Sequence, residues 1–82
     1  MSQYAVEYLP TALAVLNDMP QGQTRQVVEH LVRFAKNPHA PGASKRGPDG
    51  MRVVLVPGIA AAVCEVRDDV RSVVTINVLR LV

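Results

Sequence analysis

Residues 24–37, TRQVVEHLVRFAKN, constrain the fold more than any other stretch. Their apolar side chains Val27, Val28, Leu31, Phe34 and Ala35 recur at the spacing of one helical face. Arg25, Glu29, Arg33 and Lys36 fall largely off that face. No Gly or Pro interrupts the run. Asn37-Pro38 ends it, because the residue before a proline is pushed out of the α region. Thr24 is the expected N-cap, its hydroxyl accepting from an early backbone N–H. A helix of this length is marginal alone in water and must bury its stripe. The β-branched C-terminal half of the chain is the only surface large enough to receive it.

The other elements follow from alternation and breakers. In QYAVEYL, residues 3–9, Tyr4, Val6 and Tyr8 oppose Ala5, Glu7 and Leu9, which predicts a strand. Pro10 opens a short helix over TALAVLNDM, residues 11–19, with Ala12, Leu13 and Leu16 on one face. Pro20-Gln21-Gly22 turns the chain back into the main helix, so the two helices form a hairpin. Residues 37–50 hold three of the six prolines and three of the five glycines, which predicts a loop. Strands are expected over residues 51–56 and 59–67, joined at Pro57-Gly58, and over residues 72–82 after an Asp68-Asp69 turn. The fold class is therefore α+β: an N-terminal strand and a two-helix hairpin packed on a mostly antiparallel sheet of about four strands.

Composition narrows the class. Eighty-two residues suffice for one small domain, residues 1–82. Aromatics are only 4%, so the core must be aliphatic. The net charge of +2 is too small to single out a nucleic-acid or an acidic protein partner. The single Cys64 has no intramolecular partner for a disulfide, and its apolar strand predicts a buried structural thiol. No apolar run is long enough to span a membrane and no secretory leader is visible, so a soluble, cytoplasmic protein without membrane association is expected.

Few residues carry chemistry. Lys45 and Arg46 on the loop, Arg52 at the next strand and Lys36 at the end of the main helix are the candidate phosphate contacts. No aromatic lies among them to stack a base. His39 and Arg52 are the candidate catalytic groups, since a histidine exchanges protons near neutral pH. His30 is expected on the surface. His30, His39 and Cys64 have no metal-ligand spacing, and no metal or cofactor is expected. Glu65, Asp68 and Asp69 are expected to be solvated around a turn. The last strand, SVVTINVLRLV, places aliphatic side chains on both faces. It should lie inside the sheet or beneath another chain, a second copy or a partner, with Val74, Ile76, Val78 and Arg80 as candidate interface residues.

The order of these elements resembles the RelE/ParE superfamily of type II toxin–antitoxin toxins. The matching residues are YAVEYLPTA, residues 4–12, the Met19-Pro20 break, the helix ending at Asn37-Pro38, Lys45-Arg46-Gly47, Gly58 in the hairpin turn, and Cys64-Glu65-Val66. The resemblance implies a small antitoxin as partner. Relatives that cut messenger RNA on the ribosome carry arginines late in the first hairpin strand and early in the second. The corresponding positions here are Val56 and Ala61. Those relatives also end in a basic segment with a terminal Tyr or His, whereas this sequence ends at Val82. Cleavage through a 2′-hydroxyl needs a proton acceptor and cationic stabilisation. The expectation is a toxin-like protein acting by binding, with weak or no ribonuclease activity. The alternatives are a ribosome-dependent mRNA endoribonuclease, a ParE-like DNA gyrase inhibitor, and a non-toxic binding or oligomerisation module, a homodimer among its forms.

Overall fold

In the computed structural model, which describes residues 3–81, the apolar stripe of the long helix lies on a mixed sheet of five strands. The elements are β1 (Ala5–Tyr8), α1 (Pro10–Asp18), α2 (Gln21–Lys36), β2 (Lys45–Arg46), β3 (Arg52–Val56), β4 (Ala60–Arg67) and β5 (Ser72–Arg80). The sheet order is β1-β5-β4-β3-β2. β1 runs parallel to β5, and every other pairing is antiparallel. The α+β reading with a mostly antiparallel sheet therefore holds. The strand count rises by one, because Lys45–Arg46 pairs with Arg52 and Val53 instead of remaining loop. The last strand ends at Arg80, and Val82 lies outside the described residues.

α2 begins one turn earlier than its apolar pattern. Pro20 stands at its N-cap, and the Pro20 carbonyl accepts from the N–H groups of Gln23 and Thr24 at 2.9 and 3.0 Å. Thr24 is thus inside the helix and not its cap. Its hydroxyl donates to the Leu16 carbonyl at 2.7 Å and ties α2 to α1. Val27, Leu31, Phe34 and Ala35 are buried, as the periodicity requires, and Val28 is half-buried. At the other end the Ala35 carbonyl, one of the acceptors a helix C-terminus leaves unpaired, takes the Tyr4 N–H at 2.9 Å. On α1 the buried residues are Ala12 and Leu16, whereas Leu13 is exposed and Val15 packs against the core in its place.

The two helices cover one face of the sheet. α1 lies over β5 and β1, and α2 lies over β3 and β1. Beneath them β3 contributes Val54 and Val56, and β4 contributes Ala60, Ala62 and Cys64, all buried. Tyr4, Val6 and Tyr8 pack on the margin of this core, on the side that the alternation assigned them. Pro57-Gly58 joins β3 to β4, with Gly58 at φ 75°, the left-handed position that favours glycine after proline in such a turn.

β5 lies between β1 and β4, so its aliphatic run is inside the sheet. It does not keep one parity. Cys64 pairs with Thr75 but Val63 pairs with Asn77, which leaves Ile76 as the extra residue of a β-bulge. Before the bulge Val73 and Thr75 are fully buried; after it Val78 joins the helix-covered core.

Candidate functional site: the open face of the sheet

The face turned away from the helices is built from the complementary set of residues. β3 supplies Val53 and Leu55, β4 supplies Ala61, Val63, Glu65 and Arg67, β5 supplies Val74 and Leu79, and β1 supplies Glu7. Strand register arranges these in rows. Leu55, Ala61 and Leu79 stand in register across β3, β4 and β5, with Leu55 47% and Leu79 51% exposed. Val53 and Val63 form the next row. At the opposite end Glu7 and Glu65 flank Val74 in register, and Val74 is buried between them. Glu65 pairs with Arg67, and Ser72 donates to the Glu7 carboxylate. One end of the open face is therefore an aliphatic row, the next row sets Val53 and Val63 between Lys45 and Asn77, and the other end carries two carboxylates and one guanidinium.

The expected phosphate contacts do not converge here. Lys45 and Arg46 are adjacent in a strand, so they point to opposite faces. Lys45 stands opposite Val53 on the open side. Arg46 stands opposite Arg52 on the helix side, a like-charge cross-strand pair. Lys36 is at the end of α2, over the helix-covered face. Neither Lys36, Lys45, Arg46 nor Arg52 forms an ion pair among the described residues. Val56 is 1% exposed and faces the helices, so no cation fits at that position. Leu55, one residue earlier, is the position that faces outward opposite Ala61.

The expected interface residues also separate. Val74 is on the open face, Ile76 is half-buried at the bulge, and Val78 is in the core. Arg80 reaches Asp18 of α1 at 3.5 Å.

The remaining chemistry-bearing groups lie elsewhere. Cys64 is fully buried, and burial pushes its thiol up to about 11, against a smaller opposing effect of the hydrogen bond to Thr75. It has no nucleophilic character at neutral pH. His39 is on the loop after α2, and its Nε2 is 2.6 Å from Asp68 Oδ1 in the β4–β5 turn. The Tyr4 hydroxyl donates to the same oxygen at 2.6 Å. His39 first, and Tyr4 second, hold the Asp68 carboxyl below the usual carboxylate range. This exposed cluster joins three segments but is separate from the open face. Sequence patterning missed it because its members are 29 and 64 residues from Asp68 and sit in a loop, a terminus and a turn. His30 is half-buried, with Nδ1 2.9 Å from the Gln26 carbonyl one helical turn away. Among the described residues no group of three or more His, Cys, Asp and Glu is placed to hold a metal ion. None of the described helices is long and apolar enough to cross a membrane.

The fold is that of RelE toxins. A chain of the RelBE2 toxin–antitoxin complex from Mycobacterium tuberculosis superposes with a TM-score of 0.81 at 22% identity, over 96% of this chain and 99% of that one. A chain of the intact RelBE complex from E. coli gives 0.78 at 20% identity, over 96% and 98%. The archaeal RelE–RelB complex from Pyrococcus horikoshii gives 0.73 at 10% identity, over 96% of each chain. No family model and no curated protein sequence matches the chain.

Proposed function

We propose that the chain is the toxin-like component of a type II toxin–antitoxin pair and acts by binding, with little or no cleavage of messenger RNA. The fold supports the first half of this reading, since the similar structures include RelE toxins bound to RelB antitoxins. The observation that carries the second half is the row Leu55, Ala61 and Leu79 on the open face: Ala61 stands where the resemblance implies an arginine, and the residues in register with it on β3 and β5 are aliphatic. An RNA backbone is positioned by Lys and Arg, and cleavage needs charge stabilisation at the scissile phosphate. An aliphatic row offers neither. It does fit the apolar stripe of an amphipathic antitoxin segment, which would bury Leu55 and Leu79 together.

Two measurements test this. Induced expression of the chain alone should slow growth, and co-expression of a small antitoxin-like protein encoded next to its gene should relieve the effect; unaffected growth overturns the toxin reading. Primer extension on ribosome-bound messenger RNA should show no site-specific stops. Reproducible stops would instead make the protein a ribosome-dependent endoribonuclease.

A further inference from the structure

On the helix side of the sheet, the loop after α2 stands off β3 and leaves a cleft of about 410 Å3. Its size lies within the ~300–1,000 Å3 range of small-molecule sites. Phe34 of α2 and Val54 of β3 give it apolar sides, and Ala40 and Ala43 of the loop complete the wall. Both loop residues are alanines, whose short side chains leave the space open. The loop is fixed by two successive turns. The Ala40 N–H donates to the Asn37 carbonyl and the Ala43 N–H to the Ala40 carbonyl, each at 3.1 Å, with Gly42 at φ 77° between the alanines. His39 of the same loop is tied to Asp68. The cleft is therefore formed in advance, and a ligand would need to order little of the chain on entering it.

Its charge has one sign. Arg33 and Lys36 border the cleft, and no carboxylate lines it. Neither cation forms an ion pair among the described residues. Both also border an adjoining hollow on α2 that contains Glu29, one turn before Arg33, so Glu29 is the carboxylate that competes for them.

We propose that this cleft binds a free amphipathic carboxylate, with an unbranched hydrocarbon tail of medium length against Phe34, Ala43 and Val54 and a head group held by Arg33 and Lys36. The apolar walls give the tail its affinity, and the cations select the sign of the head. A guanidinium pairs with a carboxylate through two parallel hydrogen bonds, which favours this head over a neutral one. The ligand is a single free molecule, because the apolar residues line a concave cleft and do not form a protruding surface that could enter a bilayer. The site is separate from the open face, and the inference stands whether or not the chain is a toxin.

Titration of the protein with decanoate below its micelle concentration, followed by amide chemical shifts, tests it. Decanoate should shift Phe34, Ala43 and Val54 saturably. Acetate, which has the head alone, and decyltrimethylammonium, which has the opposite head, should not. Ala43→Leu should abolish the shifts by filling the cleft. Arg33→Glu combined with Lys36→Glu should weaken decanoate about tenfold, since each exposed ion pair contributes modestly, and should reverse the preference toward decyltrimethylammonium. Should Ala43→Leu fail to fold, that reversal reads the same site from surface positions alone. The protein should not sediment with vesicles of anionic phospholipid. Absence of saturable shifts, shifts centred on Ala61 and Leu79 of the open face, equal binding of the two decyl compounds, an unreversed preference in the double variant, or sedimentation with the vesicles would each overturn the proposal.

Discussion

The helix-covered and open faces of the sheet come from alternate residues of the same strands, and they follow different rules. On the covered face Val54, Val56, Ala60, Ala62 and Cys64 are buried under Val27, Leu31 and Phe34, and side-chain volume decides what fits. On the open face Leu55, Ala61 and Leu79 have the same aliphatic character, yet no helix covers them. Stability fixes the residues of the first face. The second is free to be fixed by what the protein binds, and its apolar end is the feature that a monomer alone does not account for.

The sharpest test of this division uses neighbouring residues. Val56→Arg should unfold most of the protein, because it drives a cation into a site 1% exposed. The penalty for such an ion is several kcal/mol, against a total stability of about 5–15 kcal/mol for a domain. Leu55→Arg, one residue away and 47% exposed, should stay within about 0.5 kcal/mol of wild type. Urea titrations followed by circular dichroism measure both. Equal losses at the two positions would erase the distinction between the faces.

Leu31→Ala comes next. Leu31 is fully buried at the centre of the α2 stripe, and its truncation should cost about 2–5 kcal/mol. Leu79→Ala on the open face is the matched control and should cost under about 0.5 kcal/mol in the isolated protein. A loss below half a kcal/mol at Leu31 would mean that the helix presents a different face.

The covered face was readable from the sequence because burial imposes a period. The α2 stripe and the β1 alternation each follow one, and both survive in the structure. Where a period is absent, reading fails. Gln21, Gly22 and Gln23 carry no apolar signal, so the sequence pattern starts α2 at Thr24, although the Pro20 carbonyl already organises the preceding turn. β2 has only two residues, among Gly and Pro, and its pairing partner is what makes it a strand. β5 is aliphatic on both faces, so the bulge at Ile76 leaves no mark in its pattern, and the four residues proposed as one interface fall in different surroundings. The open face was legible in part. Of the two positions that the resemblance matches to arginines, Ala61 faces outward and Val56 faces the helices, a difference of strand parity that the aliphatic run over residues 53–56 does not reveal.

The smallest expected effect concerns the turn that closes the covered face at its margin. Asp68 Oδ1 accepts from both His39 and Tyr4, and these bonds favour its ionised form. Because its folded pKa lies below the ordinary value, its contribution is complete above the carboxylate range and is lost as pH falls through the lowered value. Tyr4 has the opposite sign. The hydrogen bond to Asp68 is the largest cause of its raised pKa, with Arg71 opposing, so this contribution is present below the ordinary tyrosine range and is lost as pH rises through the raised value. The stability difference between wild type and Asp68→Asn should therefore be greatest near neutral pH and shrink toward both extremes. All three side chains are exposed or at the margin, so solvent screening keeps the difference small. Urea midpoints of the two proteins from about pH 3 to about pH 11 span both ranges. A difference that does not change with pH would show that the cluster records a surface geometry and does not fasten the His39 loop to the β4–β5 turn.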